Sequence, residues 1–280
     1  MPLISTVHYS VLDFAPVRAV GIEISSTKLE AAFATNGAIN AVLWNDLEEP
    51  ELEAFFDSLP VTGFDVGALV NTILSEVDPE DWRVGESIAE AYLINHQDCY
   101  FPWATHWDLK NPKASPAGTD LVGFQYYSDP DLGGARAVRF AFSEVKTSVE
   151  LVFPPSVMTG RVKDTGTPKG LVEQLENLRD EHSAVNSLIL YLFRHKQPGW
   201  EAQFREACTR WMQDRNDVAL FGILIRDVQP NVLDLRRFAK RLGSKYGENI
   251  VKPVCELHAL YLPIGCVPNL PVQARTARNN

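Results

Sequence analysis

Two carboxylates and a lysine lie in two short segments that are typical of neighbouring strands. Asp120 begins the first segment, and Glu144 and Lys146 lie at the end of the second. Because strand side chains alternate between faces, Glu144 and Lys146 share one face. Two acids that lie close together repel each other, and a divalent cation held by their oxygens would remove that repulsion. The residue types and spacing therefore indicate a metal site.

The segment between the two predicted strands determines how they pair. Residues 128–134 are rich in Asp, Pro and Gly, which favours a turn. An antiparallel pairing about this turn sets Phe124 opposite Phe140 and Asp120 opposite Glu144, on one face. The alternative is that both acids are ordinary strand-end residues that emerge into solvent.

This arrangement resembles the core of the PD-(D/E)xK nucleases, in which an acid precedes Glu-x-Lys across a hairpin. Here Thr119-Asp120 stands in place of the leading Pro-Asp. The resemblance implies a restriction-endonuclease-like fold. Strands separated by helices independently favour a three-layer α/β arrangement. We therefore expect a three-layer core with a mixed central sheet and a smaller strand-rich N-terminal region.

The resemblance also implies further site residues on the flanking helices. Members of the superfamily usually add a glutamate from the helix before the hairpin, and several carry a glutamine on the helix after it. Glu86 borders the apolar stripe of the first helix, whereas Glu90 is expected further toward solvent, so Glu86 is preferred. Gln174 is the corresponding candidate on the second helix. Each of the three could instead be an ordinary solvated helix residue.

A narrower similarity is to the nuclease subunit of the Hachiman anti-phage system, the HamA C-terminal-like domain. It depends on Gly85-Glu86, on residues 118–123 and on Glu144-Val145-Lys146, and it extends roughly from Asp78 to Ile264. The similarity implies a DNA nuclease that works with a helicase or translocase subunit.

The expected chemistry is metal-dependent hydrolysis of phosphodiester bonds in DNA. Asp120, Glu144 and the Val145 carbonyl would hold Mg²⁺ or Mn²⁺, which prefer oxygen ligands. Lys146 would orient or deprotonate the attacking water, and Glu86 would ligate a second ion or position waters. The alternative function is a catalytically silent binding or scaffold subunit on the same fold. The choice between DNA and RNA, and between endonuclease and exonuclease, stays open.

The composition is that of an ordinary globular protein. Of 280 residues, 45% are hydrophobic and 22% are charged. The sequence contains no apolar run of membrane-spanning length and no signal-like N-terminus, so we expect a cytoplasmic protein. Its four cysteines form no C-x-x-C pair, which favours reduced thiols over a structural zinc site.

The formal net charge of −10 opposes unaided binding to nucleic acid. Either a partner or a local basic surface must supply the affinity for phosphate. The best local candidate is a helix that carries Arg237, Lys240 and Arg241, with Lys163 in a smaller cluster after the Glu-x-Lys strand. The alternative is that these cations form only a solvated helix surface.

We expect three regions along the chain. Residues 1–75 form an α+β region with a predicted strand at Ile39–Trp44 and a possible role in partner binding. Residues 76–270 form the nuclease core, in which the apolar run Val218–Ile225 is the predicted central strand. Residues 271–280 are polar and are predicted to be a flexible tail.

Overall fold

The computed structural model describes residues 3–14, 16–44, 81–102, 119–161, 166–246 and 252–278, with a few single residues between these ranges. Its strands are β1 (Thr6–Phe14), β2 (Val17–Glu23), β3 (Cys99–Tyr100), β4 (Leu121–Asp129), β5 (Ala135–Ser148), β6 (Val218–Arg226) and β7 (Val254–Tyr261). Its helices are α1 (Ser26–Phe33), α2 (Ala38–Leu43), α3 (Asp81–His96), α4 (Leu171–Asp180), α5 (His182–Arg194), α6 (Glu201–Gln213), α7 (Arg236–Gly243) and α8 (Leu270–Arg278).

The described strands form one mixed sheet in the order β1-β2-β7-β6-β5-β4-β3. The four central strands, β2, β7, β6 and β5, run parallel. The outer pairs at both edges are antiparallel. Apolar residues of α4 to α7 pack on one face, and those of α1, α2, α3 and α8 pack on the other. The predicted three-layer α/β fold with a mixed sheet is therefore confirmed.

Strand β6 lies at the centre of this arrangement. All nine of its residues are buried, because helices cover both faces of the sheet. This explains why the sequence shows a continuous apolar run here and no alternation. The prediction of a central buried strand at Val218–Ile225 is confirmed.

The β4–β5 hairpin has the predicted register, with Phe124 opposite Phe140. The side chain of Asp129 accepts a hydrogen bond from the Asp131 amide at 2.9 Å and so caps the first turn of the connection. Gly133 follows with a φ of 67°, a left-handed conformation that glycine adopts without strain. Turn chemistry and alternation together fix which residues share a face.

The predicted strand at Ile39–Trp44 is wrong. Residues 39–43 belong to helix α2, which packs its apolar side chains against α3 instead of pairing in a sheet. Strand β2 pairs in parallel with β7 over its whole length, and β1 pairs with β2, so these two strands extend the central sheet. The sequence also predicts helices at 52–56 and 66–70 and a loop at 101–117, and these segments lie largely outside the described residues.

The expected flexible tail is also wrong for residues 271–278. They form helix α8, which buries Leu270 and Ala274 against the α1–α3 layer. The segment is polar overall because its other side is exposed. Among the described helices, none is long and apolar enough to span a membrane.

The role of α8 gives a test of this fold. Leu270 is 3% exposed, so Leu270→Ala should lower the free energy of unfolding by about 2–5 kcal/mol through lost burial and a residual cavity. The matched control is Val272→Ala on the same helix, which removes a largely exposed side chain and should change stability by about 0.5 kcal/mol or less. Urea unfolding measures both. Equal effects of the two substitutions would contradict the packing of α8.

Candidate active site

Asp120 is held at the start of β4 by the backbone of β5. Its Oδ2 accepts a hydrogen bond of 2.7 Å from the Val145 amide, which lies two residues beyond Ser143 in the last backbone pair of the hairpin, Leu121 with Ser143. The carboxylate therefore continues the ladder where backbone pairing ends. This contact fixes the Asp120 side chain beside the Glu144–Lys146 segment, as the predicted register required.

Glu144 is a buried acid with one oxygen in use. It is 1% exposed, and its Oε1 accepts from Lys146 Nζ at 2.5 Å. Its Oε2 is also buried and has no hydrogen-bond partner among the described residues. Burial raises the pKa of Glu144 well above its usual range, and the negative charge of Asp120 adds to this, while Lys146 partly offsets it.

Lys146 is the cation of this group. Burial would lower the pKa of its ammonium, but the carboxylates of Glu144 and Asp120 outweigh that effect and raise the pKa above its ordinary value. The side chain is therefore protonated near neutral pH. It can donate hydrogen bonds and offset negative charge, and it is poorly suited to act as a base.

Helix α3 brings Glu86 to the same group of charges. Burial raises the pKa of Glu86 well above its usual range, the charge of Asp120 raises it further, and Arg83 partly offsets both. The Arg83 guanidinium lies 3.8 Å from the Glu86 carboxylate. Lys146 also lowers the pKa of Glu86, so the Glu86 carboxyl lies within electrostatic range of Asp120 and Lys146, whereas Glu144 and Lys146 are in direct contact.

The close approach of α3 depends on Gly85. A Cβ at this position would lie 2.6 Å from Thr147 Oγ1 on β5, so a larger residue would push the helix away. On the opposite face, a Cβ at Gly222 would lie 2.6 Å from Leu175 Cδ1 on α4. Gly222 is the β6 partner of Glu144, so α4 packs closely over the strand beside this acid.

Glu90 does not lie toward solvent as expected. It is only 6% exposed, and Arg83 lies 3.7 Å from its carboxylate. The outer side of α3 is covered by α2, whose Val42 carbonyl accepts a hydrogen bond from Arg83. Burial raises the pKa of Glu90 to about 7, and Arg83 lowers it in part. Arg83 therefore lies near both acids, but only Glu86 also interacts with Asp120 and Lys146, so the preference for Glu86 stays a prediction.

Sequence reasoning missed Arg83, which is buried between Glu86 and Glu90. The signal was present, because residues 83, 86 and 90 recur at the spacing of one helix face. A buried arginine at that spacing balances two acids that would otherwise have no nearby cation on α3.

Gln174 lies on α4, the helix that packs over β5 and β6. The side chain is half-buried, and its Oε1 is buried without a hydrogen-bond partner among the described residues. Its role as a fourth site residue stays a prediction, as does the Val145 carbonyl as a metal ligand.

The predicted basic surface divides into paired and unpaired cations. Arg241 donates to Glu173 at 2.9 Å and to Glu176 at 2.6 Å, so it is bound within the protein and is a poor contact for phosphate. Arg237, Lys240 and Lys163 are exposed. No ion pair involves Arg237 or Lys240 within the described ranges.

The site suits oxygen-seeking cations only in part. The buried Glu144 Oε2 and Gln174 Oε1 are free acceptors among the described residues, and such oxygens fit Mg²⁺ or Mn²⁺. Over the same residues, however, no three His, Cys, Asp or Glu side chains lie close enough to hold a metal ion. A bound cation would have to take Glu144 away from Lys146 or share it.

The chain matches no family model and no curated protein. Any function proposed for the protein therefore depends on the geometry of the Asp120, Glu144 and Lys146 site and on the resemblance of its motif.

The buried acid on α3 gives a prediction about pH. The pKa of Glu90 is about 7, against about 4.3 for an unfolded glutamate, so the folded state holds this proton more tightly. The protonated Glu90 carboxyl therefore contributes to the free energy of unfolding below about pH 4, and this contribution is lost as the pH rises to 7. The loss is on the order of 3 kcal/mol. Glu90→Gln should therefore lose less stability than the parent protein between pH 5 and pH 8.

Urea unfolding at several pH values measures this difference. The control is Glu30→Gln, which changes an exposed glutamate on α1 and should leave the parent pH profile unchanged. Parallel profiles for Glu90→Gln and the parent protein would contradict the prediction.

Proposed function

We propose that the protein is a Mg²⁺- or Mn²⁺-dependent nuclease of the PD-(D/E)xK type that hydrolyses phosphodiester bonds in DNA. The observation that carries this proposal is the hydrogen bond from Val145 to Asp120. It holds one acid beside a second, buried acid that is paired with a lysine. An Asp and a Glu-x-Lys in this relation are the elements that phosphodiester hydrolysis by this type of nuclease requires.

Asp120, Glu144 and the Val145 carbonyl would hold the cation, with Glu86 as a further oxygen donor. The raised pKa values of Glu144 and Glu86 reflect burial and, for each, repulsion by Asp120, which a divalent cation would reduce. When bound, such a cation supplies polarisation of a phosphoryl oxygen and a lower pKa for the attacking water.

Lys146 would act as a charged donor in this mechanism. Because its pKa is raised, it would orient the attacking water and offset the negative charge that develops on phosphate. Removal of a proton from water then falls to another base, and Glu86 is the candidate if it does not bind the cation.

A catalytically silent scaffold subunit is the second candidate. The ion pair between Lys146 and Glu144 favours it, because the pair already balances one acid without a metal. In that case Asp120 would serve only to close the hairpin through Val145. The two functions predict different effects of divalent cations on Tm and of site substitutions on DNA cleavage.

The proposed nuclease activity gives a direct test. Lys146→Ala and Glu144→Ala should each abolish cleavage of plasmid DNA in Mg²⁺ or Mn²⁺, while circular dichroism remains that of the folded protein. The control Lys196→Ala breaks a surface ion pair with Glu201 and should leave cleavage unchanged. Cleavage retained by both site variants would end the assignment, and loss of folding would mean that the ion pair is structural.

Divalent cations should also stabilise the folded protein. A cation that binds only the folded state raises Tm, by about 3 °C or more at ten times its Kd for a chain of this size. Asp120→Asn and Glu144→Gln should reduce that shift. Thermal melts with and without millimolar Mn²⁺ measure it. A parent protein whose Tm does not change would favour the scaffold function.

We further propose that this chain is the effector subunit of a Hachiman-type anti-phage defence complex with a helicase. The net charge of −10 supports a partner, because an acidic chain captures DNA slowly at physiological salt. Co-expression with a helicase encoded beside its gene should give a shared peak in size-exclusion chromatography. A chain that elutes alone and digests DNA rapidly by itself would contradict this proposal.

A further inference from the structure

A groove beside α7 combines positive charge with aromatic surface. It has a volume of about 440 Å³ and is lined by Phe14, Phe153, Pro154, Leu233, Arg236, Arg237 and Lys240. This volume lies in the range of sites that hold ligands of nucleotide size. The groove therefore has the size and the residue types for a nucleic-acid strand.

The three cations of the groove are available to a ligand. Arg236, Arg237 and Lys240 are exposed, and none forms an ion pair with a carboxylate in the part of the chain that the structure describes. Their neighbours on the same helical segment differ, because Arg241 and Lys245 are bound to Glu176 on α4. In a chain with a net charge of −10, three cations in one groove that form no ion pair with the described carboxylates favour an anionic partner.

The aromatic rings indicate which form of nucleic acid fits. Phe14 and Phe153 are partly buried and line the groove. In a duplex the bases stack on each other and present only their edges, so a ring in a groove can stack only on an unpaired base. Cations that track phosphates beside rings that stack on bases are the features of single-strand binding sites.

The groove is connected to the candidate active site by a short, well-anchored segment. Phe153 lies seven residues after Lys146, beyond the end of β5. The fully buried Arg226 donates to the carbonyls of Glu150 and Val152, and its guanidinium lies 5.3 Å from the centre of the Phe153 ring. The Glu150 carboxylate in turn accepts from the Ser156 amide at 2.6 Å.

We propose that this groove binds single-stranded nucleic acid, with phosphates on Arg236, Arg237 and Lys240 and a base against Phe153 or Phe14. The inference deepens the proposed function, since it names the substrate class of the nuclease, and it rests on that function for the fate of the bound strand. Binding itself does not require cleavage, so the two can be tested separately.

The test is fluorescence anisotropy with the full chain in EDTA, using a labelled 15-nucleotide DNA strand and the same strand in a duplex. The parent protein should bind the single strand at least tenfold more tightly than the duplex. Arg237→Gln/Lys240→Gln should weaken single-strand binding at least tenfold and reduce the slope of log K against log salt by about 1.4, which is about 0.7 for each phosphate contact.

Two further variants make the result specific. Arg205→Gln/Lys196→Gln removes the same charge from cations that are both paired with Glu201, and it should leave single-strand binding unchanged. Phe153→Leu should weaken single-strand binding about tenfold and leave the salt slope unchanged, because it removes stacking and not a phosphate contact. Thermal melts confirm that each variant is folded.

Several results would overturn the proposal: no binding of the single strand, equal or tighter binding of the duplex, or groove variants that bind like the control. A helicase subunit that occupies the groove while the strand does not bind would also overturn it. Single-strand binding without any cleavage in Mn²⁺ would contradict the nuclease function alone. Metal-dependent cleavage with no effect of the groove substitutions would contradict the groove alone.

Discussion

The candidate site depends on the contact between the Asp120 carboxylate and the Val145 amide. Backbone pairing of the hairpin ends at Leu121 and Ser143, and the carboxylate satisfies the amide just beyond it. A buried amide without a partner costs free energy comparable to a lost hydrogen bond, so this position strongly favours an acceptor side chain. The same contact holds a negative charge beside Glu144, which raises the pKa of that buried acid. One interaction therefore both stabilises the hairpin and raises the pKa of Glu144.

The helices on both faces of the sheet pack closely against it and bury the acids of the site. Gly85 allows α3 to lie against Thr147 of β5, and Gly222 allows α4 to lie against β6 beside Glu144. The result excludes water from the acids, and burial is the largest cause of the raised pKa of both Glu86 and Glu144. Because burial disfavours the ionised form of these acids, a nearby cation would stabilise their carboxylates. Within the chain, Arg83 and Lys146 supply positive charge that partly offsets the charges of these acids.

The hairpin register and the shared facing of Glu144 and Lys146 could be predicted because both follow from alternation and turn chemistry, which are local. The burial of Glu90 could not, since it depends on α2 covering the outer side of α3. The sequence of helix α2 predicts a strand equally well, because a short apolar run has no periodicity that separates a strand from a helix. Polar composition likewise suggested a flexible C-terminus, although Leu270 and Ala274 suffice to anchor α8. Tertiary contacts decided each of these cases.

Tertiary contacts also decide which basic residues are free to contact a ligand. This determines how an acidic protein could contact nucleic acid. Sequence alone places Arg237, Lys240 and Arg241 on one helix, but it cannot show that α4 presents Glu173 and Glu176 to Arg241. Once that pairing is known, the cations still available lie on the side of α7 that faces Phe153. Net charge describes the average field of the protein, whereas phosphate contacts depend on charges that are not already neutralised nearby. A chain with a net charge of −10 can therefore present a positive groove, provided that its acids pair with other cations.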